Sequence, residues 1–104
     1  MIDLRDLQKK VYQNKVDKNF NVTNVAMEFC LTHEELAEAY RAYYKKLPDV
    51  GEELADVMIY LLGIAEILNI DLEVEVEKKV EKNKRRVYAL VDGVRTKVND
   101  GEVA

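Results

Sequence analysis

Residues 50–65 read VGEELADVMIYLLGIA, and the fold turns on this stretch. From Leu54 to Ala65 apolar side chains fall all the way round a helical wheel, and Asp56 is the only charge. A helix that is apolar on every side is expected to be buried on most sides. An ionised carboxylate in such surroundings is costly unless it is paired or bound to a metal. Glu53 lies one turn before Asp56 on the same face. The stretch therefore predicts a buried helix carrying a carboxylate pair that needs a cation.

Working outward, Pro48 breaks the chain just before this helix, and Asp49 with Glu52 three residues on resembles a capping pair for it. The helix is expected to run to about Asn69. Upstream, Thr23 is a plausible N-cap for a long helix to about Lys46. Its main apolar face is read as Val25, Ala26, Phe29, Tyr40, Tyr43 and Tyr44. A first helix spans roughly Asp3 to Val16, with Leu4, Leu7, Val11 and Tyr12 on one side. The segment Asp17 to Val22 is a loop. Downstream, Asp71 caps a fourth helix expected to reach Tyr88. Asp92-Gly93 and Asp100-Gly101 are turn signals, so the tail is either a loose arm or a short hairpin.

The expected architecture is all-α, a four-helix bundle completed by dimerisation or tetramerisation. One proline and four glycines in 104 residues leave few helix breakers. That length fits one domain, placed at residues 1–91, with a tail at 92–104. A net charge of −4 argues against a nucleic-acid polymer as partner, which calls for a dominant basic face. The most apolar run, Val57 to Ala65, is too short for a membrane span. The N-terminus is charged from its third residue, unlike a signal peptide. The single cysteine, Cys30, allows neither an intrachain disulfide nor a cysteine zinc site, and a reducing cytoplasmic setting is the simplest reading.

The second helix supplies a partner for Glu53 and Asp56. Glu35 and Glu38 share a face, with Leu31, Ala39 and Ala42 as neighbours. Small and apolar residues beside carboxylates point to a second buried face, against the third helix. Four carboxylates from two antiparallel helices then converge. Like charges that close raise one another's pKa, and a hard divalent cation relieves the repulsion. Oxygen-only donors favour Mg²⁺, or Mn²⁺, over zinc. A di-iron centre needs Glu-x-x-His motifs, and the lone His33 precedes its glutamates. On the fourth helix Lys79, Asn83 and Arg86 share a face. Two cations and an amide suit a phosphorylated ligand. The plain alternative for all these groups is a set of solvated surface ion pairs.

Glu34-Glu35-x-x-Glu38, then Glu53-x-x-Asp56, then Lys79-x-x-x-Asn83-x-x-Arg86 resemble the ordered motifs of the MazG-like, all-α nucleoside triphosphate pyrophosphohydrolases. The match covers Leu31 to Arg86. It implies cleavage of a nucleoside triphosphate between its α and β phosphates, to the monophosphate and pyrophosphate. By the resemblance, Glu35, Glu38, Glu53 and Asp56 bind Mg²⁺, and Glu34 is an outer ligand or the base that positions water. Lys79 and Arg86 neutralise phosphate oxygens, and Asn83 contacts phosphate or sugar. Small members of the family form dimers or tetramers. Ala37 stands where such families often carry glycine. The sister phosphoribosyl-ATP pyrophosphohydrolases have a Tyr-His pair after the second motif, which is missing here. The competing function is a non-catalytic helical oligomer that binds a nucleotide or a protein partner. Cys30 and the three tyrosines are expected to serve packing, although a tyrosine or Phe20 could touch a nucleobase.

Overall fold

The structure, a computed structural model, describes residues 2–102. It has four helices and one hairpin among the described residues: α1 (Leu4–Asp17), α2 (Val25–Tyr44), α3 (Val50–Ile67), α4 (Leu72–Arg85), β1 (Val87–Val91) and β2 (Val94–Asn99). The chain divides into two compact units, Met1–Leu72 and Glu73–Ala104.

In the first unit α3 packs against both α2 and α1. Toward its C-terminal end the run Leu62 to Ala65 is buried. Ala39 and Ala42 are the buried apolar residues of α2, so its alanine face meets α3, as the sequence suggested for its second face. The aromatic stripe is on the outside instead. Phe29, Tyr40, Tyr43 and Tyr44 are all exposed, and the rings of Tyr40 and Tyr44 rest on each other at 5.2 Å. Small side chains allow close helix approach, which bulky rings on that face would prevent. Before Leu62, α3 is likewise more open than its composition predicts: Leu54, Met58, Ile59 and Leu61 are exposed.

The helix ends follow local rules. Asp3 caps α1 by accepting from the Asp6 amide at 3.0 Å. Asn24, rather than Thr23, caps α2, accepting from the Met27 amide at 3.0 Å. Asn19, Lys46 and Asn69 each follow a helix end in the left-handed region, at φ 59°, 56° and 56°. The amides of Phe20, Leu47 and Ile70 then reach back to the carbonyls of Lys15, Ala42 and Ala65 at 2.8, 2.9 and 2.8 Å. These are Schellman endings built without glycine.

Two buried polar groups were not foreseen. Gln8 on α1 is 0% exposed and fully bonded. Its amide donates to Glu66 Oε2 and to the Ile70 carbonyl, both at 2.7 Å, and its oxygen accepts from the Leu72 amide at 3.2 Å. Glu28 on α2 is 1% exposed, ion-paired with Lys15 and hydrogen-bonded by Asn21. Breaking such a pair leaves an uncompensated buried charge, so it holds α1 to α2 more by penalty than by gain.

In the second unit α4 stops at Arg85, three residues short of the expected Tyr88. Val87–Val91 is instead a strand, paired antiparallel with β2. The tail is therefore a hairpin. Asp92 and Gly93, at φ 50° and 79°, form its two-residue turn between the paired Val91 and Val94. Positive φ at both central positions matches the right-handed twist of the strands.

Candidate functional site

The carboxylates of α2 and α3 do converge. Glu35, Glu38 and Glu53 each place an oxygen within 4.8 Å of the others. The periodicity explains this: Glu35 and Glu38 lie on the face of α2 that carries Ala39 and Ala42, and that face is turned to α3. Asp56 adjoins the three closely enough that its charge raises the pKa of both Glu35 and Glu53. For Glu35 burial is the largest cause, followed by the charges of Glu38, Asp56 and Glu53. For Glu53 burial again leads, followed by Glu38 and Asp49. Glu34 is exposed on α2 beside the cluster.

Asp49 is a member that the sequence reading assigned another task. It occupies the N-cap position of α3, but its side chain makes no capping hydrogen bond. Asp49 Oδ1 and Glu53 Oε2 are buried with no hydrogen-bond partner, the two such side-chain atoms among the described residues. Buried acceptors are normally satisfied, and carboxylate oxygens above all. Both residues line a cleft of about 220 Å³ with Glu38, Ala42, Leu47 and Arg41. Arg41 makes no ion pair among the described residues, so these acids have no cation from the chain within 4.0 Å. Converging oxygens from Glu35, Glu38 and Glu53, beside orphaned acceptors on Glu53 and Asp49, fit a hard divalent cation in donor type and charge. The cue for Asp49 in the sequence was its place four residues before Glu53, one helical turn away.

A second cavity, about 310 Å³, opens between α1 and α3 and is lined by Val11, Asn14, Lys15, Phe20, Ile59 and Tyr60. Tyr60 links it to the acids. Burial raises the pKa of its phenol most, and the charge of Glu35 comes next. The Lys15 ammonium sits 5.6 Å over the same ring.

The third predicted group lies in the other unit. Lys79 and Asn83 are on α4 and Arg86 is one residue beyond its end, near enough for its charge to act on Lys79. The Arg86 amide still bonds the Asn83 carbonyl at 3.3 Å. Its guanidinium meets the Asp100 carboxylate at 3.7 Å. Burial lowers the pKa of Lys79, helped by the positive charges of Arg86 and Lys82.

The first unit is thus a helical domain with a cluster of carboxylates, oxygen donors only, between two helices, of a kind that could hold a cation. The family model for the MazG nucleotide pyrophosphohydrolase domain matches residues 22–90, and the chain belongs to that family. Among curated proteins it is similar to cysteine–tRNA ligases. That of Bacillus cereus (strain AH187) is 29% identical over 90 residues, covering 86% of this chain and 18% of the ligase. The ligase of Bacillus thuringiensis (strain Al Hakam) gives the same figures, 29% identity, 86% and 18%. The chain thus spans under a fifth of the length of these relatives. No solved structure matches it significantly.

Proposed function

We propose that this chain is a Mg²⁺-dependent nucleoside triphosphate pyrophosphohydrolase, with Mn²⁺ as an alternative ion. It cleaves between the α and β phosphates to give the monophosphate and pyrophosphate. One observation carries the reading: in a chain of the MazG family, Glu35, Glu38 and Glu53 converge while Asp49 Oδ1 and Glu53 Oε2 have no partner.

The roles follow from the chemistry. Glu35, Glu38, Glu53 and Asp56 hold the ion, with Asp49 as a further donor. When bound, the ion neutralises phosphate charge and lowers the pKa of water. Glu34, exposed beside them, orients the attacking water. Lys79 and Arg86 offset charge on the phosphate chain, and Asn83 bonds phosphate or sugar. Phosphoryl displacement needs positioning and charge neutralisation more than a covalent nucleophile. The α1–α3 cavity suits a nucleobase, with Phe20 and Tyr60 as apolar walls and the Asn14 amide as a hydrogen-bonding group. Neither a membrane nor a nucleic-acid polymer is required; no helix among the described residues is long and apolar enough to cross a membrane. The working form is a homodimer or homotetramer, supported by the exposed apolar stripes of α2 and α3.

The test is a pyrophosphate-release screen over natural and modified nucleotides with Mg²⁺ and Mn²⁺. Turnover is expected for at least one, and Glu38→Gln is expected to lower kcat by about 100-fold or more, the scale of losing a principal charge-stabilising group. A folded protein silent across the panel sinks the reading. A second reading, a non-catalytic nucleotide-binding module, is favoured by one fact: the ligase relatives carry the similar region as a small part of a much longer chain. It predicts nucleotide-induced stabilisation with no product.

A further inference from the structure

The second unit has a charged constellation of its own. The turn after β2 folds back onto the last turn of α4. Arg85 Nε donates to the Gly101 carbonyl at 2.7 Å, Arg86 Nε donates to the Asp100 carbonyl at 3.0 Å, and the Gly101 amide donates to Asn99 Oδ1 at 2.8 Å. Gly101, at φ +84°, is buried so tightly that a Cβ would overlap the Lys82 carbonyl. This seating fixes the Asp100 backbone, while its carboxylate stays half exposed. It lies 2.9 Å from Lys97 Nζ, 3.5 Å from Lys82 Nζ and 3.7 Å from Arg86 Nη2. Lys82 pairs with Glu102 as well.

One carboxylate is thus shared by three cations drawn from α4, the segment after it, and β2. Lys79 stands close enough to Arg86, Lys82 and Lys97 for their charges to depress its own pKa. Asp100 is held at about 2, chiefly by the Lys97 hydrogen bond. Counting Lys79, Lys82, Arg86 and Lys97 against Asp100 and Glu102 leaves positive charge in excess, 4 against 2. A planar carboxylate brings one negative charge and two oxygens. A phosphate chain brings more of both, and suits several converging ammonium and guanidinium donors better.

We propose that this nest is a binding site for the triphosphate chain of the substrate, in which Lys82 and the hairpin residue Lys97 act as additional phosphate ligands and Asp100 is the internal occupant that the phosphates displace. The proposal rests on the functional reading above, in which Lys79 and Arg86 contact phosphate. It adds that the hairpin is part of the binding apparatus, because it delivers both Lys97 and its competitor. The plainer account is that Asp100 only fastens the hairpin to α4. The two accounts give opposite signs when Asp100 loses its charge.

The experiment is calorimetric titration of the full chain with inorganic tripolyphosphate in EDTA at low salt, so that metal bound by the acids contributes nothing. Asp100→Asn keeps the shape and removes the charge; it is expected to bind tripolyphosphate roughly threefold to tenfold more tightly, the scale of one unscreened charge pair. Lys97→Gln is expected to bind it weaker by a similar factor, and Lys97→Arg to restore it. Asp100→Asn binding no tighter than wild type overturns the proposal. If that variant loosens the hairpin, seen as faster amide exchange over residues 87–99, the comparison of Lys97→Gln with Lys97→Arg decides, and equal affinities overturn it. Nucleotide turnover is scored separately. Tighter binding by Asp100→Asn without any turnover leaves the anion site and removes the enzyme; turnover with unchanged affinities does the reverse.

Discussion

Asp49 Oδ1 and Glu53 Oε2 are the atoms on which the proposed cation site of the first unit hangs. Each is an acceptor shut away from water with nothing to accept from. Neutralising either group relieves repulsion when no ion is present. Asp49→Asn and Glu53→Gln are therefore expected to raise the melting temperature in EDTA and to shrink the further rise that Mg²⁺ gives the wild type, since an ion that binds only the folded state stabilises it by mass action. A lower melting temperature in EDTA, with the Mg²⁺ response intact, is the contrary result. The same logic sets a pH dependence. The pKa values of Glu35 and Glu53 are raised above the ordinary 4.5, so from that pH upward to the raised values the folded state holds more protons than the unfolded. Their contribution makes the metal-free protein lose stability as pH rises through that window. With Mg²⁺ the slope should flatten or reverse, because the ion binds the ionised forms. Asp100 acts oppositely: its pKa falls from 3.8 to about 2, so its stabilisation is present above 3.8 and lost as pH drops toward 2. Melting curves from pH 2 to 8, with EDTA or Mg²⁺, separate the two.

At this scale the sequence was legible where one physical demand dominated. The spacing of Glu35, Glu38 and Glu53 puts them on facing helix sides, and Asp56 adjoins them in a setting less enclosed than its apolar neighbours in sequence imply. Asp49 was hidden because capping already accounts for an aspartate before a helix. Gln8 and Glu28 were hidden because their partners, at Glu66, Ile70, Leu72 and Lys15, come from other elements.

Among the elements, what misled was the weight given to large side chains. The stripe from Phe29 to Tyr44 reads as the core face of α2 by size, but two alanines and the carboxylates face α3. Helix spacing, set by the smallest residues at the contact, decided it. The end of α4 was missed for a different reason. Lys82 to Arg86 continues a good helical pattern, while Val87–Val91 with Asp92-Gly93 offers a hairpin, and the pairing with Val94–Asn99 is a non-local gain that no window of α4 reveals. The helix terminators make a sharper prediction. Lys46 takes the left-handed position after α2 at φ 56°, where a side chain with a Cβ is disfavoured by roughly 1 kcal/mol or more. Its backbone already makes the required bond to the Tyr43 carbonyl at 3.1 Å. Lys46→Gly should therefore stabilise the protein by about 0.5–1 kcal/mol, after allowing for glycine's greater freedom in the unfolded chain. A chemical denaturation midpoint that shifts upward at unchanged slope is the expected reading; a downward shift means that the lysine side chain contributes packing that its exposure does not suggest.

For the molecule as a whole, the difficulty is the thinness of its core. The buried apolar residues among those described are Ala39, Ala42, Leu62, Ile64 and Ala65, three of them alanine. Alanine contributes little hydrophobic area, and a small chain with so little inside normally finds more burial by association. The apolar surface for it is at hand on both helices that carry the acids. On α2 Leu36, Tyr40 and Tyr43 are 53%, 65% and 68% exposed, and on α3 Leu54 is 53% exposed. The self-association proposed above would cover such stripes symmetrically, each copy presenting the same patch. A charge placed there should act on the assembly without touching the interior. Leu36→Asp combined with Tyr40→Asp is expected to convert a dimer or tetramer to monomer in light scattering at micromolar concentration. The helical signal should persist at low temperature, and the melting temperature should lose its dependence on protein concentration. A wild type that is monomeric at that concentration removes the assembly from the proposal. An oligomer that survives both substitutions moves the interface elsewhere. Because Glu38 lies on the opposite face of α2, turned to α3, a monomeric variant that also loses its Mg²⁺ response would show that the acidic cluster needs the assembled α2–α3 pair to hold its geometry.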